Sequence, residues 1–181
     1  MGLGSGIASD PSMNSILDEE NRLKYQDQGT IRKILSHTKT VAMVGLSPKT
    51  ERPSHFVATY LQSEGYRVIP VNPRADEILG EKAYPDLLSI PDDIEIDMVD
   101  VFRRPEECLA IAEQAVEIGA KSLWTQLQVV NLEAGEVAVK GGLDVVMDRC
   151  VKIEHGRYNG SLHWVGMNTE IISARRGQRY F

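Results

Sequence analysis

The sequence predicts an α/β domain built on one parallel, doubly wound sheet with helices on both faces, in three layers. Three observations carry that prediction. Short apolar runs at Val41–Val44, Tyr66–Pro73, Ile94–Phe102, Lys121–Trp124 and Leu143–Met147 read as buried strands. Between most of them lie longer stretches whose apolar residues recur at helical spacing. Glycine or proline punctuates the junctions, as expected where short loops join helix to strand. Strands that alternate with helices in this way pair in parallel through right-handed crossovers.

Taken in order, residues 1–13 are rich in Gly and Ser and are expected to be disordered. Two helices should follow, the first capped by Asn14 or Ser15 and the second by Gly29-Thr30, covering one flank of the sheet. His37 falls in the last turn of the second, where a cation suits the helix dipole. The strand Val41–Val44 breaks at Gly45, and a polar loop leads to a helix opening at Pro53, whose Phe56, Val57, Tyr60 and Leu61 share a face. Gly65 stops it. After the second strand, residues 74–90 carry too many breakers for a long helix. They are expected to form a short extended piece around Ile78–Tyr84 and a single helical turn at Pro85–Ile90. Asp97 and Asp100 take polar positions in the third strand, on opposite faces. Pro105 opens a helix that turns Leu109, Ile111, Ala112, Ala115 and Val116 inward and closes at Gly119. Glu133–Lys140 is the last predicted helix, stopped by Gly141-Gly142 before the final strand.

Composition bounds the function. A chain of 181 residues with 42% apolar content fits one domain, assigned to residues 14–156, with 157–181 as an extension packing on it or on a partner subunit. The net charge of −6 argues against wholesale nucleic-acid binding, although Arg175, Arg176 and Arg179 cluster near the end. No apolar run reaches membrane-spanning length, and the two cysteines form no disulfide framework, so a reducing, cytoplasmic setting is expected.

In a doubly wound sheet, ligands lie beyond the carboxyl ends of the strands where strand order reverses. This rule selects the loops Gly45–Arg52, Asn72–Arg74, Phe102–Pro105 and Trp124–Val129. The first joins a strand to a helix N-terminus through a glycine turn, an arrangement that offers free N–H groups and the positive end of a dipole to an anion. Lys49 and Arg52 add cations there, so a phosphorylated ligand is expected. It does not match NAD(P): the turn lacks the G-x-G-x-x-G glycines, and the second strand ends in Asn72-Pro73 rather than in a ribose-binding acid. The P-loop pattern is absent as well. An NAD(P)-dependent oxidoreductase or nucleotide-sugar enzyme therefore stands as the competing reading, with an interaction module bearing a vestigial pocket as a third.

Several spaced motifs resemble one family. Val41-Ala-Met-Val-Gly-Leu-Ser47, Arg52-Pro-Ser54, Val68-Ile-Pro-Val-Asn-Pro73, Asp97–Arg104, Leu123-Trp-Thr-Gln-Leu-Gln128 and Val146–Glu154 together resemble the CoA-binding domain family, over roughly residues 27–156. That family comprises small Rossmann-like proteins related to the N-terminal domain of the succinyl-CoA synthetase alpha subunit. The resemblance implies that Gly45, Leu46, Ser47, Lys49, Arg52, Pro53 and Ser54 form the phosphate loop, with Gly45, Ser47 and Arg52 cradling the CoA phosphates. It implies that Asn72, Pro73 and Arg74 border the nucleotide and that Phe102, Arg103 and Arg104 line the middle of the site. Trp124 and Gln126 would face the pantetheine arm. The plainer alternatives are a core role for Trp124 and pairing of Arg103 or Arg104 with Glu106 or Glu107.

The chain departs from the family in having Val151 where some members have proline after Met-Asp-Arg-Cys. It also shows no second domain bearing a phosphorylated histidine, so ligase activity is not expected. No catalytic constellation or metal site stands out. Cys108 reads as a small inward hydrophobe. Cys150, near Arg149, Lys152 and His155, has neighbours able to lower a thiol pKa, yet reads better as an inert or redox-labile thiol. The expected function is that of a cytoplasmic protein binding CoA or acyl-CoA as carrier, sensor or regulatory subunit, with a homodimer or another protein partner as a family-level expectation.

Overall fold

A computed structural model of the chain describes residues 15–158. Five parallel strands form the sheet: β1 (Thr40–Val44), β2 (Arg67–Val71), β5 (Met98–Val101), β6 (Ser122–Thr125) and β7 (Asp144–Val146), in the order β2-β1-β5-β6-β7. A separate small hairpin joins β3 (Glu77–Ile78) to β4 (Glu81–Lys82). Its turn holds Leu79 at φ +54 and Gly80 at φ +78, the left-handed pair that two-residue hairpins favour. Six helices accompany these strands among the described residues: α1 (Glu19–Tyr25), α2 (Gln28–His37), α3 (Pro53–Ser63), α4 (Cys108–Glu117), α5 (Leu132–Lys140) and α6 (Val151–Tyr158).

Strand alternation divides the core into two apolar layers. Val41, Met43, Val68, Met98, Trp124 and Val146 meet α2, α3 and α6 through residues such as Ile31, Leu35, Val57, Leu61 and Val151. Ala42, Val44, Ile69, Val99, Val101, Leu123 and Val145 face the other way, against Tyr25 of α1, Ile111 and Ala115 of α4, and Ala134 and Ala138 of α5. The sheet is therefore the middle of three layers, as the alternating pattern predicts.

The helix starts need correcting. α1 begins at Glu19, capped by Asp18, whose side chain accepts from the Asn21 N–H; Asn14 lies outside the described residues. α2 begins before Gly29, because Asp27 accepts from the Thr30 N–H and is the cap. Gly29-Thr30 thus belong to its first turn. The third strand is shorter than Ile94–Phe102: residues 94–97 and Phe102 stay outside the ladder. Pro105–Glu107 is a 3-10 turn leading into α4 rather than its first α-helical turn. α6 was not predicted at all: Gly156 lies within it, and it buries Glu154 and His155, which obscures any apolar stripe. The expectations for residues 1–13, and for the extension beyond Tyr158, fall outside the described residues.

Candidate functional site

β2 lies on one side of β1 and β5 on the other, so the connections that leave β1 and β5 run to opposite faces. That divergence opens a crevice at their carboxyl ends. A cleft of about 950 Å3 occupies it.

Gly45 starts the first wall. It turns at φ +87, and its N–H donates to the Val71 carbonyl at 2.9 Å. A Cβ at this position would lie 2.5 Å from the Phe102 carbonyl oxygen and 2.8 Å from Arg103 Cδ, so only glycine lets the two strand exits come together. The loop is then stapled to the first turn of α3. The Ser47 N–H donates to Ser54 Oγ (3.1 Å), Ser47 Oγ accepts from the Lys49 N–H (3.2 Å), and His55 Nδ1–H donates to the Ser47 carbonyl (3.0 Å). Arg52 is the N-terminal cap residue of α3, but its side chain makes no capping bond, and Pro53 occupies the first turn. The guanidinium is left for other partners, at the positive end of the helix.

Asn72 ties the second loop to the first: its Nδ2–H donates to the Leu46 carbonyl at 2.8 Å while its Oδ1 accepts from the Arg74 N–H at 2.9 Å. Pro73 and Arg74 continue this wall. Phe102 and Arg103 line the centre, where Arg103 Nε–H donates to Glu107 at 3.1 Å. Arg104 also reaches Glu107, at 3.5 Å, and the two guanidiniums, Arg103 above all, hold that carboxyl below its ordinary range. The pairing alternative for these arginines is thus realised, with Glu107 as the partner of both. Gln126, Leu127 and Val129 close the far side, with Cys150 beside them.

Twelve of the fifteen residues singled out from the sequence line this cleft. Three do not. Leu46 is fully buried in the core and offers the loop only its carbonyl. Arg104 sits in a neighbouring depression with Pro105, Glu107 and Gln128. Trp124 is fully buried, its Nε1–H donating to the Arg149 carbonyl at 2.7 Å; its side chain takes the core alternative. Residues not singled out also line the cleft: Pro48, Leu127 and Val129 within the selected loops, Val57 on α3, and Cys150 after β7. Applying the carboxyl-end rule to the last strand as well would have found Cys150.

The thiols are not activated. Burial pushes Cys150 above its ordinary value, and nearby Asp100 adds to this, although Lys152 pulls the other way. Arg149 meanwhile donates to Gln26 Oε1 (2.9 Å), and His155 Nδ1 pairs with the Tyr60 hydroxyl (2.9 Å). Burial pushes Cys108 up to about 11. Among the residues lining the main cleft, Lys49, Arg52, Arg74 and Arg103 are cationic and none is a carboxylate.

A family model described as "CoA binding domain" matches residues 39–156. The chain belongs to the CoA binding domain family. Relatives of similar extent include the uncharacterised Bacillus subtilis protein YneT, 44% identical over 133 residues, which cover 74% of this chain and 97% of that one. A solved structure of a hypothetical protein from Pyrococcus horikoshii superimposes with a TM-score of 0.67 at 40% identity, over 87% of this chain and 99% of that one. An ADP-forming acetate–CoA ligase of Archaeoglobus fulgidus is 32% identical over 87 residues, 46% of this chain and only 13% of the ligase. The likeness to that enzyme is therefore confined to a small part of it.

Proposed function

We propose that this CoA binding domain holds coenzyme A, free or acylated, in the switch-point cleft, and acts in the cytoplasm as a carrier, sensor or regulatory subunit. One observation carries the reading. Four cationic side chains and the open first turn of α3 converge on a cleft whose lining residues include no carboxylate. A dinucleotide held by its ribose wants an acid at the end of β2, where Asn72 stands. Coenzyme A has no such need, and its diphosphate and 3′-phosphate want cations. Arg52 can take phosphate oxygens through two N–H groups at once, while Lys49 supplies a less directional charge. The cleft volume, about 950 Å3, lies at the large end of ordinary ligand sites and suits a long ligand.

Thermal unfolding in the presence of CoA, acetyl-CoA, NAD and NADP tests this. At about 100 times its dissociation constant a ligand stabilises by about 2.7 kcal/mol, a rise of roughly 5–10 °C in Tm for a domain of this size. CoA and acetyl-CoA should produce such a rise, NAD and NADP should not, and Arg52→Ala should reduce the CoA shift. A shift with NAD or NADP alone would favour an oxidoreductase, and an unchanged CoA shift in Arg52→Ala would refute the loop's role.

A further inference from the structure

The third strand of the sheet, β5, carries a carboxyl group in the interior. Asp100 is fully buried, in register with Met43 of β1 on one side and Trp124 of β6 on the other. Its Oδ1 accepts from Gln126 Nε2 at 2.6 Å. Its Oδ2 is buried and has no partner. Burying a carboxyl between apolar neighbours costs stability, and packing does not explain it.

Gln126 explains it. This residue lines the cleft although only 6% of its surface is exposed. Its amide nitrogen is committed inward to Asp100, whereas its carbonyl Oε1 accepts nothing among the described residues and is not one of the buried unpartnered oxygens. A carboxamide pinned by its nitrogen presents its oxygen on the other side.

We propose that Asp100 is a positioning residue that holds the Gln126 carboxamide in one of its two flips, so that Oε1 faces the cleft and accepts an amide N–H from the pantetheine arm of the ligand. This rests on the coenzyme A reading and adds a polarity to it: the arm is met by an acceptor, not a donor. The lock is the carboxylate's, because an ionised Oδ1 can only accept. Burial pushes the carboxyl up to about 7, so the titrations belong at about pH 8.5, where the acid is ionised.

Calorimetric titration of the full chain with CoA and with adenosine 3′,5′-bisphosphate, which lacks the pantetheine arm, tests the proposal. Gln126→Met removes the acceptor at similar volume, and Asp100→Leu removes the lock. Both should weaken CoA by roughly three- to tenfold, the size of one hydrogen bond. They should leave the bisphosphate within about twofold. Equal losses for both ligands, or no loss for CoA, would overturn the inference while the coenzyme A reading stands. A wild-type protein that binds neither ligand overturns both. If Asp100→Leu fails to fold, NMR of the wild-type Gln126 side-chain amide decides the lock: its hydrogens should exchange slowly with and without CoA, and rapid exchange in either state would contradict it.

Discussion

Gly45 stands where two strand exits meet, with φ +87 and the Phe102 carbonyl 2.5 Å from where a Cβ would project. Both the left-handed conformation and the close approach exclude a side chain, so Gly45→Ala should cost roughly 1–3 kcal/mol of stability. Urea unfolding measures this, and an unchanged midpoint would mean that the loop accommodates a methyl group. Position 45 was legible from sequence because an apolar run ending in glycine before a helix has few physical explanations. Arg52 and Asn72 were legible for a related reason: Arg52 stands at a helix start marked by proline, and Asn72 at a strand end marked by proline. Trp124 was not, since a strand residue's side chain can face a layer of core or a ligand path with the same pattern. Nor was Asp100, whose partner Gln126 lies across the sheet in the next strand's exit.

The strand that carries Asp100 gives the protein a pH dependence. Burial raises this carboxyl from 3.8 to about 7, so the folded state binds the proton more tightly than the unfolded state does. The stabilisation is full below the unfolded value and is lost as pH rises through the folded one. Between pH 5 and 8 the wild type should lose roughly 2–3 kcal/mol relative to Asp100→Asn. Comparing the two proteins by urea unfolding at both pH values separates Asp100 from Glu154, which burial also raises, and from His155, which burial lowers. Parallel curves would show that Asp100 ionises freely in place. Elements were otherwise read with uneven success. Strands declared themselves as short apolar runs and the long amphipathic helices by period, whereas α6 did not, because its buried face includes Glu154 and His155. Helix starts shifted where aspartates at 18 and 27 outcompeted the neighbouring caps, their carboxylates reaching N–H groups three residues on.

At the scale of the whole molecule, an acidic chain of net charge −6 gathers Lys49, Arg52, Arg74 and Arg103 around one crevice. The alternation of strand and helix predicts the layers but not the order of strands, which depends on pairings between distant segments. The order β2-β1-β5-β6-β7 puts the exits of β1 and β5 side by side and makes four separate loops one site. The central claim is that this crevice takes a diphosphate on the β1–α3 loop. A crystal structure grown with saturating coenzyme A tests it most directly. The account predicts the diphosphate against the main chain of Gly45–Arg52 and the first turn of α3, with the Arg52 guanidinium on its oxygens. Coenzyme A seated elsewhere, or absent from an occupied lattice at that concentration, would contradict it.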